Sequence, residues 1–189
     1  MRKNFGAKPW TYPQPVYIIA TYDKKQIPNA MNAAWGGISG FREISMCLSP
    51  AHKTVKNILE RKAFTVSIGD ADHMVECDYV GIVSGNAVGD KFSKCGFTQI
   101  KSEFVDAPII KELPMALECR LKSYNDNTHI LIGEVLNVNA DERILDDRGN
   151  IDPLKFQPII FDPVNNHYYA IGEKIGNAFQ DGNKIKDKS

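Results

Sequence analysis

The chain has 189 residues, 23 Lys and Arg against 23 Asp and Glu, and 43% hydrophobic residues. That length predicts one domain, near the common size of ~150 residues with a small appendage, and its core needs no disulfide or metal to hold it. Zero formal charge excludes a general nucleic-acid binder, which neutralises phosphates with an excess of Lys and Arg, and no apolar run approaches the ~20 residues that cross a membrane.

The N-terminus, Met1-Arg-Lys-Asn-Phe-Gly, has no apolar h-region behind it, so no secretory signal is read and a cytoplasmic location is expected. Residues 16–21 are rich in β-branched side chains and predict a central strand covered on both faces. Residues 28–37 string together small side chains broken by Asn29, Met31, Asn32 and Trp35. Small residues let a flat ligand lie against the backbone while an Asn bonds its edge, and the same pattern also fits a strand packed closely on a neighbour. Ile44, Met46 and Leu48 alternate with period two and predict a strand.

Ser49-Pro50 before Val55, Ile58 and Leu59 predicts a short helix with Ser as N-cap and Pro in the first position. Ala51, His52, Lys53 and Thr54 gather at its start, where first-turn N–H groups attract an anion; an ordinary capped helix looks the same. Phe64, Val66 and Ile68 predict the next strand, and Met74, Val75, Tyr79 and Ile82 a weak helix over 72–83. Ser84-Gly85-Asn86 and Gly89-Asp90-Lys91-Phe92 read as a turn and a helix start, leaving Lys91 free for solvent or ligand.

Met115, Leu117, Cys119 and Leu121 alternate as a strand, and 130–138 predicts a second strand covered on both faces. Residues 158–161 and 168–171 add shorter strands. Asp146-Asp147-Arg148-Gly149-Asn150 is a turn cluster, and 140–189 is expected as an arm over the surface, mobile over 184–189. Cys47, Cys77, Cys95 and Cys119 fit neither a zinc pattern nor a CxxC pair, so they are expected to be reduced and packed. No metal site is predicted, and neither GxGxxG nor GxxxxGK[ST] occurs. Strands dominate and helices serve as connections, which predicts a mainly β, antiparallel barrel with helical inserts rather than a Rossmann sheet.

Taken in order, Tyr12-Pro13-Gln14-Pro15-Val16, Thr21-Tyr22-Asp23, residues 29–37, His52-Lys53-Thr54, residues 78–85, Asp90-Lys91-Phe92, Leu117-Glu118-Cys119, Gly133-Glu134-Val135 and residues 172–179 resemble the flavin reductase-like family of FMN-binding split-barrel proteins, and its flavoredoxin group. The resemblance implies a Greek-key split β-barrel with short helical inserts, forming a homodimer with FMN in a groove at or near the subunit interface. By the same resemblance Asn29, Ala30, Met31, Asn32, Ala33 and Trp35 would flank the isoalloxazine ring and ribityl chain. Ala51, His52, Lys53 and Thr54 would hold the phosphate, with Asn57 close behind, and Ser84, Gly85 and Lys91 would complete the pocket.

The chain departs from the family pattern at three places. Asn32 stands where members often carry Thr, Arg42-Glu43 where a Pro-Pro pair is common, and Thr128 where members tend to carry a His. His129 follows one residue later and is kept as the catalytic candidate, although alternation along a strand would turn it to the opposite face unless a bulge intervenes. The implied activity is that of an FMN-dependent oxidoreductase. It would be an NAD(P)H:flavin reductase, taking electrons from NADH or NADPH and passing them to free flavin, or a flavoredoxin-like electron carrier serving a redox-protein partner. A non-catalytic flavin-binding β-barrel module and a flavin protein that has lost turnover are the alternatives.

Overall fold

The computed structural model describes residues 1–186. In chain order its elements are β1 (Gln14–Pro15), β2 (Tyr17–Tyr22), β3 (Pro28–Ala33), β4 (Gly36–Gly40), β5 (Glu43–Cys47), α1 (Lys53–Arg61), β6 (Ala63–Ile68), α2 (Met74–Ile82) and α3 (Lys91–Lys94). There follow β7 (Gln99–Lys101), β8 (Pro108–Ile110), β9 (Met115–Asn125), β10 (Ile130–Ala140), α4 (Pro153–Phe156), β11 (Ile159–Asp162), β12 (His167–Ala170) and α5 (Asn183–Lys186). A seven-stranded sheet in the order β3-β2-β6-β9-β10-β5-β4 curls into a half-barrel, beside a three-stranded sheet β1-β11-β12 and the hairpin β7-β8. Every pairing is antiparallel. This is the expected mainly β split barrel with short helical inserts.

Alternation along β2 feeds two cores. Ile19 joins Met31, Met46, Ile58, Phe64, Val66 and Leu131 inside the curl, where α1 covers them. Ile18 and Ala20 point the other way, to Ala30, Cys77, Val80, Phe92 and Ile159 beneath α2 and α3. Each large side chain so buried contributes about 1.5–3 kcal/mol. Gly133 sits at a register shift between β10 and β9, and a Cβ there would overlap the ring of Phe64. The glycine therefore makes room for the largest side chain of the inner core.

Several expectations need correction. Strand β10 is covered on one face only: Leu131 is buried, whereas Ile130, Leu136 and Val138 are exposed. Among the described residues no other element of the same chain covers that face. Helix α1 begins at Lys53 with His52 as a cap that makes no side-chain bond. Ser49 is occupied by a turn of its own, its Oγ accepting from Ala51 N at 3.3 Å and its carbonyl from His52 N at 3.2 Å. The expected arm over 140–189 divides. Phe156 and Ile159 are buried, and Phe161 and Tyr168 pack on the second core, while residues 172–180 are all exposed. The mobility expected for 184–189 falls partly on 187–189, which lie outside the described residues; 183–186 form α5.

The turn at Asp146 is as expected, its Oδ1 accepting from the N–H groups of Arg148 and Asn150. All four cysteines are free, Cys77 and Cys119 buried and Cys47 and Cys95 half-buried. Among the described residues no helix is long and apolar enough to cross a membrane, and no group of His, Cys, Asp and Glu is placed to hold a metal.

Candidate functional site

Between β3, the start of α1 and the end of α2 lies a cleft of about 200 Å³. Its walls include Met31, Asn32, His52, Lys53, Thr54, Ser84, Gly85 and Lys91, eight of the residues singled out in the sequence. The nine-residue α1 opens onto this cleft with no side-chain cap and no acidic residue in its first turn. Its N-terminal N–H groups and dipole therefore face the cleft as an anion seat.

Three basic side chains reinforce that seat. Lys53 ion-pairs with Asp23 at 3.2 Å. Burial works against ionising Asp23, but N–H groups of Ile27 and Lys25 and the Lys53 ammonium outweigh it and hold the carboxyl below its usual range. Lys91 is 3% exposed, and its Nζ donates to the carbonyls of Val80 at 2.9 Å and Val83 at 2.8 Å. Two neutral acceptors do not repay the lost hydration of an ammonium, and burial lowers the Lys91 pKa to about 8. Burial and the Lys91 charge both lower that of His52. The positive charge of the cleft therefore rests on Lys53 and Lys91, with Asp23 as the carboxylate partner of Lys53 and His52 biased to its neutral form.

Beneath the cleft the polar side chains are matched to one another. Asn29 Nδ2 donates to Thr54 Oγ1 at 2.7 Å, and Asn57 Nδ2 to Thr21 Oγ1 at 3.0 Å. Asn29 and Asn57 are buried and shape the floor instead of lining the cleft. At Gly85 a Cβ would overlap Asn29 Oδ1, so only glycine lets this loop close on the floor.

Along β3 the cleft runs into a second hollow of about 240 Å³ lined by Asn32, Ala33, Ala34, Asp78, Gly81, Phe161 and Tyr168. Asn32 is fixed between them, its Nδ2 donating to Cys77 O at 3.0 Å and the Tyr168 hydroxyl at 3.4 Å. Tyr168 in turn donates to Asp78 Oδ1 at 2.9 Å, and burial together with Asp78 raises its pKa. Trp35 follows, 54% exposed, at the edge of a third and larger cavity. Residues 31–35 therefore line three hollows in succession.

The remaining predicted residues lie elsewhere. Ala30 faces the second core. Ala51 is on the exposed turn before α1, its carbonyl accepting from Asn86 Nδ2 at 3.1 Å. His129 is not in a strand: it occupies a left-handed turn with φ 59°, its N–H bonded to Asn125 O and its carbonyl accepting from Leu48 N. It closes the β9–β10 hairpin and lines none of these hollows, so strand alternation does not govern which way it faces. Sequence reasoning missed Asp23, Asp78, Tyr168 and the carbonyls of Val80 and Val83. The Asp78 to Gly85 motif was the signal for the last of these, since it ends where Lys91 is held.

The chain matches the family described as flavin reductase like domain over residues 10–161, and it belongs to that family. The flavoredoxin of Desulfovibrio vulgaris (Miyazaki F) is 42% identical, with 96% of this chain and 100% of that one covered and a TM-score of 0.92. The flavoredoxin from Methanosarcina acetivorans is 25% identical over 98% of this chain and 99% of that one, with a TM-score of 0.87. An FMN-binding domain of a flavin reductases-like enzyme from Shewanella baltica, 21% identical over 87% and 89% of the two chains, shares the fold with a TM-score of 0.77.

Proposed function

We propose that the protein binds FMN along residues 31–35 and works as a flavin-dependent oxidoreductase of the flavin reductase and flavoredoxin type. The observation that carries this reading is the uncapped N-terminus of α1 opening on a cleft that also holds Lys53, His52 and Lys91. Those donors suit a phosphate dianion, and the small side chains of Ala33 and Ala34 beyond Asn32 suit a flat ring. Family membership and the 42% identity to a flavoredoxin support the same assignment.

When bound, FMN supplies a ring that takes up and releases electrons. The chain's residues bind and orient it. Lys53, Thr54 and the first-turn N–H groups of α1 hold the phosphate, Lys91 adds a fixed ammonium, and Asn32, locked by Cys77 O and Tyr168, sets the spacing along the groove. In the hollow beyond Asn32 the titratable side chains are Asp78 and Tyr168, which are bonded to each other.

A spectrum of the purified protein with added FMN, followed by anaerobic NADH and then NADPH, tests the proposal. Flavin bands that bleach within seconds establish an NAD(P)H-dependent reductase. Bands that persist until dithionite is added establish the carrier reading, which the flavoredoxin similarity favours. Failure to bind FMN overturns both.

A homodimer is part of the proposal. Exposed Ile38, Phe41, Leu136 and Val138 line a hollow of about 450 Å³ on the open face of β4 and β10, an apolar patch of the kind that marks an interface. Light scattering is expected to give twice the chain mass, and Phe41→Glu with Val138→Lys is expected to give a monomer.

A further inference from the structure

The cleft at the start of α1 has two rims, and one side chain bolts them together. One rim is the turn before α1, where Ser49 Oγ accepts from Ala51 N at 3.3 Å and Ser49 O from His52 N at 3.2 Å. The other is the loop that leaves α2. There Ser84 O accepts from Ala87 N and Val88 N, each at 3.0 Å, and Ser84 Oγ from Asn86 N at 3.2 Å. From this second turn Asn86 Nδ2 donates across the gap to Ala51 O at 3.1 Å.

Both rims are ordered before any ligand arrives. Lys91 Nζ fastens the root of the loop through the carbonyls of Val80 and Val83. At Gly85 the loop lies so close to the floor that a Cβ would overlap Asn29 Oδ1 and touch the stem of Lys53. An amide that spans two turns already in place loses little freedom when it bonds, so the bridge stays closed at small entropic cost.

The position of the bridge decides what it can do. His52 and Gly85 line the cleft, and Ala51 and Asn86 are the next residues outward on each rim. The bridge therefore spans the outer end of the phosphate seat, while the groove runs the other way, past Asn32 toward Trp35. At about 200 Å³ the cleft is smaller than the roughly 300–1,000 Å³ of sites that enclose a whole small molecule. It has room for an end group but not for a chain that passes through. A phosphomonoester is an end group. In a pyrophosphate the same phosphorus carries a further link, and the nucleoside behind it has to leave between the rims, where Asn86 meets Ala51.

We propose that the Asn86–Ala51 bridge is a specificity latch: it shuts the outer end of the seat, so that the site favours a flavin ending in a phosphomonoester over flavin adenine dinucleotide (FAD), whose pyrophosphate continues to adenosine. The inference rests on the FMN reading and adds the residue that sets the choice of flavin. Admitting the dinucleotide breaks one hydrogen bond, so the latch is worth about three- to tenfold in affinity.

Calorimetric titration of the full chain with FMN, FAD and riboflavin tests the latch. FMN is expected to bind more tightly than FAD, and more tightly than riboflavin, which has no phosphate. Asn86 and Ala51 are both exposed, so Asn86→Ala disturbs no core. That variant is expected to lower the ratio of FAD Kd to FMN Kd by about three- to tenfold. A substitution that merely loosened the loop would weaken both ligands and leave the ratio where it was. The Asn86 side-chain amide gives a second readout in ¹⁵N-labelled protein, assigned by its loss in Asn86→Ala. FAD is expected to move its peaks to those of a solvent-exposed amide, and FMN to leave it bonded.

FAD bound as tightly as FMN by the parent protein, an unchanged ratio in the variant, or an Asn86 amide that stays bonded with FAD would overturn the latch and leave the FMN reading standing. Riboflavin bound as tightly as FMN would put the phosphate outside the seat and overturn it as well. Failure to bind any of the three flavins would overturn both.

Discussion

At the Met31 end of the groove the polar groups are buried and matched: Asn29 with Thr54, Asn57 with Thr21, Lys91 with two carbonyls, Lys53 with Asp23. At the Trp35 end both indoles are exposed, Trp10 at 39% and Trp35 at 54%. The first end is preorganised, so a ligand meets donors already in place and ordering costs little on binding. The second end presents bare aromatic surface. The difference is between polar contacts already formed and aromatic surface left open.

The largest test of this contrast is Lys91→Met. It removes a charge-assisted donor from the fixed end, and FMN affinity is expected to fall by about 10- to 100-fold, the equivalent of ~1.5–3 kcal/mol for a hydrogen bond to a charged group. Quenching of FMN fluorescence measures it, and unchanged affinity would break the comparison. Next comes stability. Thr54→Val strands the buried Asn29 amide and should cost about 1–3 kcal/mol in urea denaturation. Gln14→Leu strands nothing and is expected to stay within ~0.5 kcal/mol of the parent protein. Equal losses in the two variants would show that the ends are not built differently.

A smaller effect is the response to pH. The Lys91 pKa in the folded chain is about 8, below its ordinary 10.5. Below pH 8 both folded and unfolded chains hold the proton and the folded one bears the burial cost. Between those two values the unfolded chain holds more protons, so the stability of ligand-free protein gains from this group as pH rises through that window. FMN binding draws on the ammonium and is expected to weaken over the same range. Parallel urea melts and titrations at pH 7 and 9 sharpen the contrast.

Much of the fold was legible because apolar residues alternate along the barrel strands: Ile44 and Met46, or Phe64 and Val66, announce their strands by period two, although in β6 the intervening Thr65 and Ser67 are buried as well. The anion seat was legible because its residues lie close together in the chain at the start of α1. What could not be read came from distant pairings. Gln14 meets the indole cavity because β1 pairs with β11, and Tyr168 reaches Asn32 because β12 pairs with β11 in turn. Local pattern carries no trace of either. The start of α1 was misread for a local reason: Ser49 satisfied the rule for a cap but spent its oxygen on the preceding turn.

The three-stranded sheet carries a mechanical consequence. Gln14 in β1 and Tyr168 in β12 both pair with Phe161 of β11, so one short ribbon carries the carboxamide at the indole cavity and the phenol that bonds Asn32 and Asp78. Any tilt of the ribbon would displace both groups together, as a lever moves its two arms.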